Sequence, residues 1–153
     1  MKESIKKMIS EVENLLTKES IHLKDKKLLA KRKSLSFLDS YCYKVGIYLF
    51  CNSDSIPIYI GAGGIGKCQD LKTRISQELR WYDNVNKKGD SGAILSINMN
   101  LEKNKFFEEL ESMKLFVYII GNVCEENKQN IAKNLERELI TKFDSELLLN
   151  KAK

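Results

Sequence analysis

Tyr48, Tyr59, Arg74, Glu78 and Glu136 are side chains whose types could do chemistry in this 153-residue chain. A phenol held near a cation can orient or deprotonate a water, although its free pKa near 10 means that it needs cationic help. The planar fork of an arginine matches a phosphate and stabilises charge developing on it. A carboxylate can accept a proton or present the oxygen ligands that magnesium prefers. Each also has a plainer reading. Tyrosines are common in strands. Arg74 and Glu78 sit four residues apart and would make a weak ion pair on a solvated helix face. Glu136 would serve equally as partner to a core arginine.

The elements that must position these groups can be read from pattern. Val45 to Cys51 is rich in β-branched and aromatic residues, Asn52-Ser53-Asp54-Ser55 has turn chemistry, and Ile56 to Gly61 alternates Ile56, Ile58 and Ile60. This reads as a hairpin. Pro57 lacks an amide hydrogen, which places the second strand at a sheet edge. A tight turn centred on Ser53-Asp54 pairs Cys51 with Ile56 and sets Tyr48 directly opposite Tyr59. Ile47, Leu49, Ile58 and Ile60 then point to the other face.

A glycine-rich loop, Gly61 to Gly66, leads to Asp70, an N-cap for a helix running to about Tyr82 with Leu71, Ile75 and Leu79 as its buried stripe. A polar, basic loop covers Asn84 to Ser91, residues 92–112 suggest two short helices, and Leu115 to Ile120 is a third strand. In the helix expected over residues 128–143, Ile131, Ala132, Leu135, Leu139, Ile140 and Phe143 form an apolar arc. Glu136 falls inside this arc, Glu138 on its edge, and Arg137 faces away. A carboxylate among apolar neighbours is costly unless it has a partner, and a divalent metal is one such partner.

At the N-terminus, Ile5, Met8, Ile9, Val12, Leu15 and Leu16 recur at helical spacing over residues 3–17, and a second, basic helix is expected over about 21–34. Residues 1–35 carry ten Lys or Arg against five Asp or Glu, whereas residues 36–153 carry sixteen of each. The entire net charge of +5 therefore sits in this segment, which fits a polyanionic partner or simply a soluble helix. Cys42, Cys51, Cys68 and Cys124 form no close pair, and with His22 as the lone histidine they argue for reduced thiols rather than a zinc site. No apolar run is long enough to span a bilayer, and the first residues lack a signal-peptide core, so a cytoplasmic location is expected.

Gly46-Ile47-Tyr48 and Tyr59-Ile60-Gly61 lie on adjacent strands, Arg74 follows on the next helix, and Glu136-Arg137-Glu138-Leu139-Ile140 lies on the last helix with Asn150 beyond it. This series resembles the GIY-YIG nuclease family over residues 44–150. The resemblance implies an α+β fold, with a small antiparallel three-stranded sheet flanked by helices over residues 41–153 and a basic helical extension over residues 1–40. It implies a metal-dependent DNA endonuclease of restriction or mobile-element type. Tyr48 would be the general base, Tyr59 would position substrate or share the proton, Arg74 would hold the phosphate, and Glu136 would hold one Mg2+ (or Mn2+). Asn150 would support the metal region or the phosphate. Lys67 would replace the lysine that many members carry where Ala62 stands here, and Glu78 occupies a position where many relatives have His or Tyr. Lys72, Arg80, Lys87 and Lys88 would contact DNA, and a two-fold DNA site implies a homodimer through the N-terminal helices. Ala62 and Glu78 also motivate a second reading, a nucleic-acid-binding module that keeps the fold without cutting. A third is an interaction protein using its N-terminal helices alone.

Overall fold

The computed structural model describes residues 15–28, 35–64, 69–121, 123–142 and 148–150. Among them, strands β1 (Leu16–His22), β2 (Gly46–Cys51), β3 (Pro57–Gly63) and β4 (Lys114–Ile120) form one antiparallel sheet in the order β1-β4-β2-β3. Four helices accompany it among these residues: α1 (Leu71–Glu78), α2 (Ile94–Met99), α3 (Lys103–Glu111) and α4 (Glu125–Lys142). The architecture is α+β.

β2 lies inside the sheet with cover on both faces, so all six of its residues are buried. On one face Tyr48, Phe50 and Tyr59 join Leu71, Ile75 and Leu79 from the α1 region, with Leu95 of α2 and Phe106 of α3. On the other face Ile47, Leu49 and Ile60 meet Ala132, Leu135 and Leu139 of α4. Each such aliphatic side chain contributes about 1.5–3 kcal/mol through its removal from water. Asp70 starts α1 as expected, accepting the Thr73 N–H at 2.8 Å. The helix stops at Glu78 rather than near Tyr82 because the next residues find other partners. The Tyr82 N–H donates to Ser96 Oγ at 2.7 Å, and the Trp81 indole donates to the Leu101 carbonyl at 2.8 Å.

The hairpin register differs from the sequence expectation by two residues. Cys51 faces Pro57, Phe50 faces Tyr59 and Tyr48 faces Gly61. The turn is longer than a two-residue one because Asn52 Oδ1 accepts from both the Asp54 and Ile56 amides at 3.0 Å, and Ser55 adopts φ 60°. An irregularity between Phe50 and Cys51 supplies the remaining offset. Ile58 packs with the Tyr48 face rather than with Ile60. An even displacement preserves faces in a strand of period two. Tyr48 and Tyr59 therefore still share a face, as diagonal neighbours with ring centroids 6.3 Å apart and planes 28° from parallel.

The N-terminal region departs further. Residues 16–22, expected to be helical or to join two helices, form β1, and Leu23–Lys26 is a short 3₁₀ turn. The sheet therefore has four strands where three were expected. The cause is tertiary: β4 offers an unpaired edge, and β1 satisfies it from Leu16↔Ile120 to His22↔Lys114. Leu16 and Ile21 reach opposite cores while the strand stays largely exposed between them. Residues 1–14 and 29–34, which carried the rest of the expected helices and the expected dimer seam, lie outside the described residues. No helix among the described residues is long and apolar enough to cross a membrane.

β3 is an edge strand, as Pro57 required, and the chain's last described residues cover it. Leu149 N–H donates to the Ile58 carbonyl at 2.7 Å, and the Asn150 side chain both accepts from Ile60 N–H at 2.8 Å and donates to the Ile60 carbonyl. Asn150→Ala leaves two half-buried backbone groups without these partners. It is expected to lower stability by about 1–3 kcal/mol, measured as a reduced urea midpoint at unchanged slope. A midpoint equal to wild type would mean that water replaces the amide without penalty.

Candidate functional site

The candidate site assembles where β2, β3, α1 and α4 converge. Tyr48 projects from the middle of β2 and is fully buried, while Tyr59 is only 5% exposed. Gly61 explains how Tyr48 fits, because a Cβ there would lie 2.2 Å from Tyr48 Cζ and 2.3 Å from its hydroxyl. The ring of the first tyrosine thus occupies the space left by the glycine opposite it. Gly46 serves the other side of β2, where a Cβ would lie 2.0 Å from the Tyr118 carbonyl oxygen of β4. Phe50 completes the aromatic layer edge-on to Tyr48, with centroids 5.9 Å apart.

Helix α1 brings Arg74 and Glu78 to the same layer. Glu78 is not on a solvated face; it continues the buried stripe of Leu71 and Ile75 and is 0% exposed. Its Oε1 accepts the Ile94 N–H at 3.0 Å, which ties the start of α2 to the end of α1. Its Oε2 and the Tyr48 hydroxyl have no well-formed hydrogen bond, although Tyr59 reaches the Glu78 carboxylate and Arg74 reaches the Tyr48 hydroxyl. Two incompletely satisfied oxygens in one buried layer depart from the rule that buried polar groups are hydrogen-bonded, which suits a water, proton or ligand held there.

Electrostatics distinguishes the roles available to these groups. Burial pushes the Tyr48 hydroxyl well above 10, and the nearby Glu78, Tyr59 and Glu136 push the same way against Arg74. Tyr59 is raised too, by burial and then by its interaction with Glu78. Both remain phenols at neutral pH. Burial lifts Glu78 to about 7, while a hydrogen bond from Tyr59, the charge of Arg74 and the Ile94 and Leu95 amides hold it from rising further. Burial also acts on Arg74, against its charge, but Tyr48, Glu78 and Tyr59 outweigh it and keep the guanidinium protonated. The group best matched to taking a proton near neutrality is therefore Glu78, not Tyr48.

Glu136 lies on the buried side of α4, half-covered, as the helical wheel required. Burial raises its pKa, opposed by Arg74 and by a hydrogen bond from the Ala62 N–H. Ala62 follows Ile60 by two residues, so its N–H opens to the same outer edge of β3 that Asn150 covers. Glu136 thus stands at the sheet edge while sensing Arg74 on the opposite face. The Ala62 side chain itself packs against the α4 core. No group of three or more His, Cys, Asp or Glu side chains able to hold a metal occurs among the described residues. A single carboxylate still fits magnesium, which keeps several waters and binds through one or two carboxylates plus substrate phosphate.

Tyr48, Tyr59, Arg74, Glu78 and Glu136 are thus brought into mutual electrostatic reach. Lys67 lies outside the described residues. Lys72 pairs with Asp39 at 2.7 Å and Arg80 with Asp90 at 2.5 Å, both on the surface, where such pairs are weak and exchangeable. Lys87 and Lys88 are exposed in the turn closed by the Asp83–Lys88 bridge. Asn150 is occupied by the β3 backbone, so its placement is that of a support beneath the site rather than a contact reaching outward. Gln77, absent from the sequence reading, accepts a hydrogen bond from Arg74 Nη1. Its position three residues after Arg74 was the available signal.

The site this fold defines is a tyrosine–arginine–glutamate cluster between one face of the sheet and α1. Comparisons with protein-family models, with characterised proteins and with solved structures found no match.

Proposed function

We propose that the chain is a phosphodiester-hydrolysing DNA endonuclease of the GIY-YIG type. The observation that carries this reading is the convergence of Tyr48, Tyr59, Arg74 and Glu136, from separate elements, on the layer that holds the incompletely satisfied Tyr48 and Glu78 oxygens. Structural ion pairing explains Arg74 and Glu78 but not why the Tyr48 hydroxyl is buried without a well-formed hydrogen bond. Exposed Lys87, Lys88 and Arg80 supply cations for the DNA backbone.

In this reading hydrolysis forms a bond from water oxygen to phosphorus and breaks the bond to the leaving oxygen. The water proton moves to the Tyr59 oxygen as Tyr59 passes its own proton to Glu78. The Tyr48 hydroxyl holds the water in place, and Arg74 neutralises charge gathering on the phosphate. Glu136 would hold a divalent ion, which when bound stabilises the phosphate and leaving oxygen. Assigning the proton to Glu78 rather than to Tyr48 follows from their opposite shifts: a carboxyl near 7 exchanges protons easily, whereas a buried phenol does not.

Plasmid DNA incubated with magnesium or manganese tests this. Wild type is expected to nick or linearise it. Tyr48→Phe and Glu136→Ala are each expected to lose about 10²–10³ in rate, the effect of removing one transition-state contact. Equal cleavage by all three proteins would remove the proposed site. Complete burial of Tyr48 and Glu78 favours one other reading, a DNA-binding module with a closed, inactive site. It predicts salt-sensitive DNA binding without cleavage by any of the three.

A further inference from the structure

Arg74 does not float beside the tyrosines; its Nη1 donates to Gln77 Oε1, one turn further along α1. An arginine only donates, so the carbonyl end of the Gln77 amide must face it, and the amide's NH2 end must then face an acceptor. Asp90 supplies that acceptor. The Asp90 carboxylate is held below its usual range first by the Gly92 N–H and also by Arg80 and the Gln77 side chain. Its Oδ1 is held by the Gly92 N–H at 2.8 Å, and Oδ2 meets Arg80 Nη1 at 2.5 Å in an exchangeable surface pair. Gly92 closes the arrangement from below: a Cβ there would lie 2.7 Å from Gln77 Nε2 and 2.8 Å from its Cδ. The amide is thus constrained by hydrogen bonds at both ends and by backbone on one face.

We infer that Gln77, oriented by Asp90, is a positioning residue that fixes the direction of the Arg74 guanidinium toward the phosphate subsite. The inference rests on the phosphate-holding role proposed for Arg74. It also gives the loop over residues 83–92 a purpose: it delivers Asp90 and Gly92 to the far side of Gln77. Asp39 pairs Lys72 in a similar surface contact but has no such link inward.

The test exploits the directionality of the amide. Gln77→Glu keeps the acceptor for Arg74 but sets one carboxylate against another. Asp90→Asn replaces one carboxylate oxygen by a donor, so the Gly92 N–H, Arg80 and the Gln77 amide compete for the single oxygen that remains and the hold on Gln77 weakens. The double variant Gln77→Glu/Asp90→Asn restores a complementary pair, with Glu accepting from both Arg74 and the new asparagine. Single-turnover cleavage of plasmid DNA with magnesium should fall about tenfold or more in each single variant, a typical penalty for a misdirected group. The KM for DNA should be unchanged, and the double variant should recover most of the loss. Rates like wild type in the singles, or a double variant no faster than the slower single, would overturn the inference. A readout independent of cleavage is the NMR signal of the Arg74 guanidinium, assigned by its loss in Arg74→Lys. Wild type and the double variant should show slow rotation with separate Nη signals, and both singles should show an averaged signal. Should no protein cut DNA while this pattern holds, the positioning stands and the nuclease reading fails. An averaged Arg74 signal in wild type would sink the positioning itself.

Discussion

Gly61→Ala is expected to lower the stability of the fold by about 1–3 kcal/mol, the usual penalty for forcing atoms into a packed core. In a domain of this size that amounts to a fall in Tm of roughly 3–10 °C. The reason is steric. The added methyl would sit 2.2 Å from Tyr48 Cζ and 2.6 Å from Cε2, and the ring is fully buried between Phe50 and Tyr59 with no free direction in which to swing. The glycine is not needed for its backbone freedom, since it does not adopt positive φ. It is needed for its missing side chain. The double-mutant cycle with Tyr48→Leu separates this from a general dislike of alanine in the edge strand. Shortening the ring removes the clash, so Gly61→Ala should be nearly silent in the Tyr48→Leu background, a coupling of about 1–3 kcal/mol. Additive losses in the cycle would show that the clash relaxes elsewhere and that Gly61 does not shape the tyrosine pocket. The same substitution displaces the Tyr48 hydroxyl, so any cleavage activity should fall further than the stability loss accounts for.

The hairpin and β4 could be read in advance, and β1 could not. Tyr48 and Tyr59 share a face under any even register, so they remained on one face although a longer turn and an irregularity after Phe50 moved them from opposite to diagonal positions. Pro57 fixed the edge by chemistry alone, through its missing N–H. β1 carried no such local signature. Its centre is Thr17-Lys18-Glu19-Ser20, with no apolar alternation, and it is a strand only because β4 has an edge to satisfy. Lys18 lies over the Phe116 ring at 5.0 Å, a contact visible only once the strands are paired. Glu136 was legible because six apolar neighbours enclosed it on a helical wheel. Glu78 was half legible. It stands seven residues after Leu71 and three after Ile75, hence on their stripe, yet the spacing to Arg74 suggested a surface pair equally well. Only the three-dimensional packing of α2 against its carboxyl decides between the two.

Burial of Glu78 gives the second large effect, expected in Glu78→Gln. The folded-state pKa of about 7 lies above the ordinary 4.5 of an unfolded glutamate. A group raised in this way favours the folded state fully below pH 4.5, and this contribution is lost as pH rises through 7. Wild type should therefore lose about 3 kcal/mol of stability between these limits from this residue, at 1.36 kcal/mol for each pH unit of separation. The residue is 0% exposed, so solvent screening does not shrink the effect. The groups facing it oppose a larger one: Arg74 on its own helix, Tyr59 on β3, and the Ile94 and Leu95 amides of α2. Tyr48 on β2 stays neutral and adds no charge of its own. Glutamine keeps the acceptor for Ile94 and cannot ionise. Urea unfolding at pH 5 and pH 8 should then show a variant close to wild type at the lower pH and more stable by roughly 2–3 kcal/mol at the higher one. Identical pH slopes for the two proteins would mean that Glu78 titrates as an ordinary surface carboxylate. Gain of stability together with loss of cleavage would mark Glu78 as a strained, working group, since residues kept for chemistry at the expense of the fold behave this way when neutralised. Gain of stability with cleavage intact would return the proton to Tyr48.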